Sequence, residues 1–311
     1  MKSLFNLSIF LFIGIVISVS FYFWNLRGAE NNKNYTCKIS GSSVSFDMIY
    51  IPGGEFEMGS PESEVGHKKD ESPIHKIKVS PFWIGKCEVT WDEYECYAFK
   101  QDTDPSGKTI EAVTRPSPSY EPYDHGWGRG KMPAMGISWY AAKQYCEWLS
   151  IKTGETYRLP TEAEWEFACR SGIAGKSSYA EDSKQLGEFT WFKDNSNGKT
   201  HEVGLKKPSA LGIYDMLGNV WELTQDFYDP DYYKTFKDVE ITIDPKGPKD
   251  GLDPVLKGGC WNDPPLELRF ANRKELPFEW WERDPQRPRG MWWLIDGQYV
   301  GFRVIRPVNN Q

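Results

Sequence analysis

Helical periodicity in this chain is confined to one short window. Apolar residues recur at helical spacing only between Thr90 and Arg170, in three brief segments. Beyond Arg170 the sequence is broken by turns, and no long helix can be traced. The 311 residues include 28 Gly and 21 Pro, enough to interrupt almost any extended periodic run. A chain of this length can bury one large core or two small ones. Aromatic residues make up 15%, with 14 Trp, which argues for an irregular aromatic-filled core or a binding surface. The expectation is one compact α+β domain with high loop content, not a series of βαβ units. No internal repeat of fixed period is visible.

Local signals place the elements. Thr90 with Glu93 forms a capping box, and Trp91, Tyr94 and Ala98 then share a face. Ser138 caps a second helix, Trp139 to Ile151, with Ala142, Tyr145 or Cys146, and Leu149 inward. Thr161 with Glu164 is a second capping box, opening a helix to about Arg170. Met48 to Gly59 alternates around Gly53-Gly54, a hairpin signal. His75 to Val79, Phe82 to Val89 and Val255 to Trp261 read as strands, and Tyr299 to Arg306 as a strongly alternating final strand. The long loop Gln101 to Lys131 carries Tyr120, Tyr123, His125 and Trp127, and reads as a rim for a binding surface or as plain surface loop.

The amino end stands apart. Leu4 to Trp24 is almost wholly apolar between Lys2 and Arg27, long enough for one membrane span. It reads equally as a signal peptide, with Ser18-Val19-Ser20 as a cleavage site. Either reading exports the remainder to an extracytoplasmic place: periplasm, cell surface or medium. The expected organisation is 1–30 as signal or anchor, 31–45 as polar linker, and 46–307 as the domain. Membrane contact is expected only through the first segment, since a mean hydropathy of −0.59 excludes a polytopic membrane protein. A net charge of −7 and a pI near 5.3 argue against a nucleic-acid partner. Six cysteines (37, 87, 96, 146, 169, 260) permit disulfides in an exported chain. No CxxC pair and no HExxH are present, so zinc-ribbon and His-based metal chemistry are disfavoured.

Between Gly212 and Asp226, Asp215 and Glu222 bracket a tight turn at Gly218-Asn219. Two carboxylates with backbone carbonyls between them suit a hard cation such as Ca²⁺. The same pattern also fits a solvated turn.

Six stretches in order resemble the sulfatase-modifying factor, or formylglycine-generating-enzyme-like, family. They are Ile51-Pro-Gly-Gly-Glu-Phe-Glu-Met-Gly-Ser60, Glu88-Val-Thr90, Tyr157-Arg-Leu-Pro-Thr-Glu-Ala-Glu-Trp-Glu166, Gly212-Ile-Tyr-Asp-Met-Leu-Gly-Asn-Val-Trp-Glu222, Lys257-Gly-Gly-Cys-Trp261 and Gly301-Phe-Arg303. The resemblance spans about residues 45 to 307. It implies an irregular, loop-rich fold related to C-type lectins, with little regular secondary structure. It also implies a calcium ion held by positions falling here on Asp215, Gly218, Val220 and Glu222. Enzymes of this family oxidise a sulfatase cysteine to an aldehyde with oxygen and copper. Their two copper-binding cysteines follow a Gly-Gly-Ser strand, here Gly258-Gly259-Cys260, and no cysteine follows Cys260. Copper(I) prefers paired thiolates, so copper is not expected. Cys260 replaces an active-site serine and Trp221 matches an active-site tryptophan, which leaves both as weak catalytic candidates. Cys146 and Cys169 match bonded cysteines whose partner positions carry Phe270 and Val304 here, so any disulfide would be wired differently.

The functional expectation is an exported, calcium-stabilised module that binds a protein or peptide, or serves structurally in an envelope complex. The alternative is a divergent oxidase that makes formylglycine in sulfatases. The candidate binding surface is Phe278 to Trp293, with Trp280, Trp281, Trp292 and Trp293; a lid over the core is the other reading.

Overall fold

Strand pairing begins where a linker was expected. In the computed structural model, which describes residues 33–99, 114–172 and 183–308, Tyr35–Lys38 (β1) lies antiparallel on Ser45–Ile51 (β2). The spacer reading of 31–45 therefore fails for β1: Cys37 points inward and is buried between exposed neighbours. The apolar segment 4–24 lies outside the described residues. Among the described residues no helix is long and apolar enough to cross a membrane.

Tyr35–Gln311 makes one compact unit containing three small sheets. The first has the order β1-β2-β5-β11, with β5 Phe82–Gly85 and β11 Ile305–Pro307. The second has the order β3-β4-β7, from Gly54–Met58, His75–Val79 and Thr242–Ile243. The third has the order β10-β6-β8-β9, from Val300–Gly301, Trp221–Phe227, Pro254–Lys257 and Arg273–Glu275. Two pairings are parallel, β10 on β6 and β4 on β7; the rest are antiparallel.

Two strand expectations need correction. The strands flanking Gly53-Gly54 do not pair with each other: β2 joins β5, and β3 joins β4 in another sheet. Gly53 has φ 71°, and a Cβ there would lie 2.9 Å from the nitrogen of Pro81, so the break moves the chain between sheets instead of folding it back. The final strand is also not continuous. It splits into β10 and β11 because Arg303, between them, turns its guanidinium into the core and is fully buried.

The helices follow their caps. Helix α1 is Trp91–Ala98 and α3 is Glu162–Ser171, each with a complete capping box, at Thr90/Glu93 and Thr161/Glu164. Helix α2 is Trp139–Thr153, capped by the Ser138 hydroxyl and closed by Gly154 at φ 73°. A fourth helix, Ser183–Phe189 (α4), was not expected; it is only seven residues long and buries one side chain, Leu186. Two aromatic-rich cores result. One gathers Trp91, Tyr94, Tyr145, Trp148, Trp221, Cys260 and Phe302; the other packs α3 through Trp165 and Phe167 against Ile49, Ile77 and Ile305.

Candidate functional site

The Asp215–Glu222 turn leads into β6 and is shaped by left-handed backbone. Asp215, Gly218 and Asn219 have φ of 54°, 76° and 52°. A Cβ on Gly218 would strike the Thr190 hydroxyl and the Trp191 carbonyl, so only glycine fits. Asn219 ties the turn to a neighbouring loop: its side-chain oxygen accepts from the His201 amide at 3.0 Å and its NH₂ donates to the His201 carbonyl at 3.2 Å.

The two carboxylates of the turn have different surroundings. Glu222 forms a two-pronged ion pair with Arg303, at 2.6 Å from Nε and 2.5 Å from Nη2, and also accepts from the Trp165 indole at 2.8 Å. Asp215 accepts from the Gly204 amide at 2.7 Å through Oδ2, whereas its buried Oδ1 has no hydrogen-bond partner. Burial raises the Asp215 carboxyl to about 6, against the pull of the Gly204 amide and Arg303. Close by, Glu88 is only 1% exposed, and neither of its carboxylate oxygens has a partner. Burial and then the charge of Asp215 push its carboxyl well up.

The turn offers oxygens of the type a hard cation takes. A carboxylate offers about four lone-pair positions. Glu222 uses three for Arg303 and Trp165, leaving one on Oε1, and Asp215 keeps Oδ1 free. Both are oxygen donors of the kind Ca²⁺ takes. Among the described residues no group of three or more His, Cys, Asp or Glu side chains converges as a ready-made cage. Backbone oxygens such as those of Gly218 and Val220 would therefore have to supply part of any shell.

Cys260 follows β8 at the same end of the β6–β8 pair as the turn, where the Gly218 amide donates to the Gly258 carbonyl at 3.0 Å and the Trp261 amide to the Asn219 carbonyl at 2.9 Å; it is 2% exposed. Its amide donates to Asp263 Oδ2 at 2.8 Å. Burial, then the Asp263 charge, pushes its thiol well above the ordinary range. No disulfide joins any of the six cysteines, so the bridges that the composition permits do not form here. Beside Cys260, Lys274 sits 5.3 Å from the ring centres of both Trp221 and Trp280. The Trp221 indole nitrogen is buried without a partner.

The tryptophans of 278–293 correct the expectation of an open surface. Trp280, Trp292 and Trp293 are buried, and Trp281 is half-buried against Phe278. Trp293 stacks on Tyr123 at 4.5 Å and donates to the Ser117 carbonyl at 2.7 Å. Trp280 stacks on Tyr299, and Trp292 meets Tyr140 edge-on. The segment is a lid on the core. Tyr123 of the expected rim packs against it, Trp127 meets Trp261 edge-on, and Tyr120, 74% exposed, remains in solvent.

Sequence reasoning missed Glu88 and Arg303 as members of the site, although both stood inside recognised strings. The available signal was a charge set among apolar neighbours, as in Val300-Gly-Phe-Arg-Val-Ile305.

The sulfatase-modifying factor enzyme 1-like domain matches residues 40–283. The chain belongs to this family. It is 33% identical over 236 residues to the serine/threonine-protein kinase pkn1 of Chlamydia pneumoniae, covering 73% of this chain and 35% of that protein. The chain thus spans about a third of that relative's length. It is 27% identical over 263 residues to the formylglycine-generating enzyme of Thermomonospora curvata, covering 71% of this chain and 84% of that enzyme. Its fold is similar to that of Treponema denticola variable protein 1, with a TM-score of 0.63 at 23% identity, covering 88% of this chain and 99% of that one. The mixed sheets, short helices and long loops are the α+β, loop-rich architecture of the family.

Proposed function

We propose that this family member is an exported module without oxidase activity, stabilised by calcium, which binds a protein or peptide or serves structurally in an envelope complex. One observation carries the reading. Cys260 stands where the resemblance puts the start of a copper-binding segment, yet no cysteine follows it, and it is bonded to none of the other five. Copper(I) needs a second soft ligand at that place. The space beside Cys260 holds the Lys274 ammonium between two indoles, a poor neighbour for another cation. A partner would meet the exposed aromatic edges of Tyr120 and Phe278, next to the buried lid. Calcium would be held by the Asp215 and Glu222 carboxylates with the Gly218 and Val220 carbonyls, and would fix the loop crossing rather than enter a reaction. Export would run through residues 4–24, as signal peptide or anchor.

A divergent oxidase is the second reading. It is favoured by Cys260 and Trp221, which share the neighbour Lys274. The test is incubation of the purified chain with copper(I) and a Cys-x-Pro-x-Arg peptide, followed by mass spectrometry for the aldehyde. The expected result is no aldehyde above the copper-only control. Aldehyde that vanishes in Cys260→Ser would establish the oxidase.

A further inference from the structure

Lys257 and Lys274 stand on neighbouring strands and are served differently. Register sets Lys257 opposite Arg273 and Leu256 opposite Lys274, so the two lysines project from opposite faces of the β8–β9 pair. Lys257 is buried and meets Glu166 at 2.9 Å. Lys274 shares the other face with Leu256 and Leu223, and with Trp221 two residues before Leu223. It is half-buried, and its ammonium lies 5.3 Å from the ring centres of Trp221 and Trp280. Among the described residues no carboxylate forms an ion pair with it and no acceptor takes a hydrogen bond from it.

The carboxylates of the neighbourhood are engaged elsewhere. Asp263 accepts from the Cys260 amide at 2.8 Å and lies against the Cys260 thiol. Glu275, the next residue of β9, points to the other face, where its charge acts on Asp253 and Tyr228. Asp296, whose amide donates to the Trp280 carbonyl, pairs with Arg283.

A second donor at the same place also lacks a partner. Trp221 is 1% exposed, and its indole N–H is buried with nothing to receive it. Native cores almost always complete such a group. The Lys274 ammonium lies against the ring that carries this N–H, so the two oxygens of one carboxylate can take both donors. The surroundings are aromatic: Trp280 stacks on Tyr299, and Tyr299 on Trp261.

We propose that Lys274 and Trp221 form a binding site for a carboxylate carried on a peptide. One ammonium and one N–H serve a carboxylate, and are too few for the charge and oxygens of a phosphate. The half-buried rings of Tyr299 and Trp281 give the body of the ligand apolar contact. The inference deepens the binding reading above by naming the group that is recognised.

The test is a titration of the ¹⁵N-labelled full chain, following the Trp221 indole N–H resonance, which Trp221→Phe identifies by its loss. The probes are N-acetylphenylalanine, a terminal carboxylate, and N-acetylglutamate α-amide, a side-chain carboxylate. The neutral amides of both are the controls. A carboxylate probe is expected to move the resonance saturably, and the neutral amides to leave it in place. Lys274→Met should weaken the effect about tenfold or more, and Lys274→Arg should retain it. The tighter probe tells whether a chain terminus or an acidic side chain is the source. No saturable movement with either carboxylate overturns the site, as does an equal response to the neutral amides or in Lys274→Met. Should Lys274→Met not fold, wild-type crystals soaked in the tighter probe decide the matter. A carboxylate within hydrogen-bond distance of the Lys274 ammonium supports the site, and one bound elsewhere overturns it. Failure here leaves the reading without oxidase activity standing, since the aldehyde assay tests that separately.

Discussion

Two buried charge clusters in this protein are built from similar residues and balanced in opposite ways. Around α3, Glu162 receives Arg273 through two bonds of 2.9 Å, while Glu166 receives Lys257 at 2.9 Å, Arg170 at 2.8 Å and the Gly59 amide at 3.0 Å. Three cations meet these two carboxylates, and Tyr233 adds a hydroxyl to Glu162 at 3.1 Å. At the Asp215–Glu222 turn, Arg303 pairs with Glu222 and the charge of Lys206 acts on Asp215, while three carboxylate oxygens, two on Glu88 and one on Asp215, have no hydrogen-bond partner. Burying an ion pair returns little net stability, but burying an unmatched charge is heavily penalised. The first gives both of its glutamates protein cations. The second leaves three buried carboxylate oxygens without a partner.

The comparison is easiest to break at Arg273. Arg273→Met removes the two-pronged partner of Glu162 and leaves it only Lys257 at 3.6 Å as a cation; it is expected to destabilise the fold by roughly 3 kcal/mol in urea, equally with calcium or chelator. A calcium-dependent cost would mean that the two clusters are not independent.

The next effect is on pH dependence. Burial, and then the neighbouring charge of Glu162, raises the Asp226 carboxyl to about 8, from 3.8 in a free side chain. The folded state thus holds a proton that the unfolded state releases. Its stabilising contribution is full below pH 3.8 and is lost as pH rises towards 8. Asp226→Asn, whose side-chain oxygen can still accept from the Glu162 amide, should flatten that decline in urea melts across the same window.

Gly218→Ala sharpens the other side. It forces a side chain against Thr190 and Trp191 at a left-handed position, for a cost of about 1–3 kcal/mol, and should weaken calcium binding as well. The smallest effect is expected at Thr161→Ala, which removes the cap of α3 for about 1 kcal/mol and leaves calcium binding unchanged.

What could be read from the sequence follows the range of each interaction. The caps at Thr90, Ser138 and Thr161 were legible because a cap is settled within four residues. Strand partners were not. Alternation around Gly53-Gly54 reports that two strands exist, and says nothing of β5 and β4, which pair with them. The alternation of 299–306 was misleading because a buried arginine is patterned like a surface one. Tryptophan is ambiguous in the same sense, since core and interface both favour it; only packing shows that Trp292 and Trp293 are covered. The candidate ion positions came from a turn motif and a resemblance. Glu88's lack of partners could not be read that way, because a missing hydrogen bond belongs to three-dimensional arrangement alone.

The most direct test of the account is the melting temperature of the purified wild-type chain in saturating Ca²⁺ against the same chain in chelator. If a divalent cation completes the unmatched cluster, calcium should raise the midpoint by several degrees. An identical midpoint in both would mean that the unmatched carboxylates are neutralised by protons, and the calcium-stabilised module would have to be abandoned.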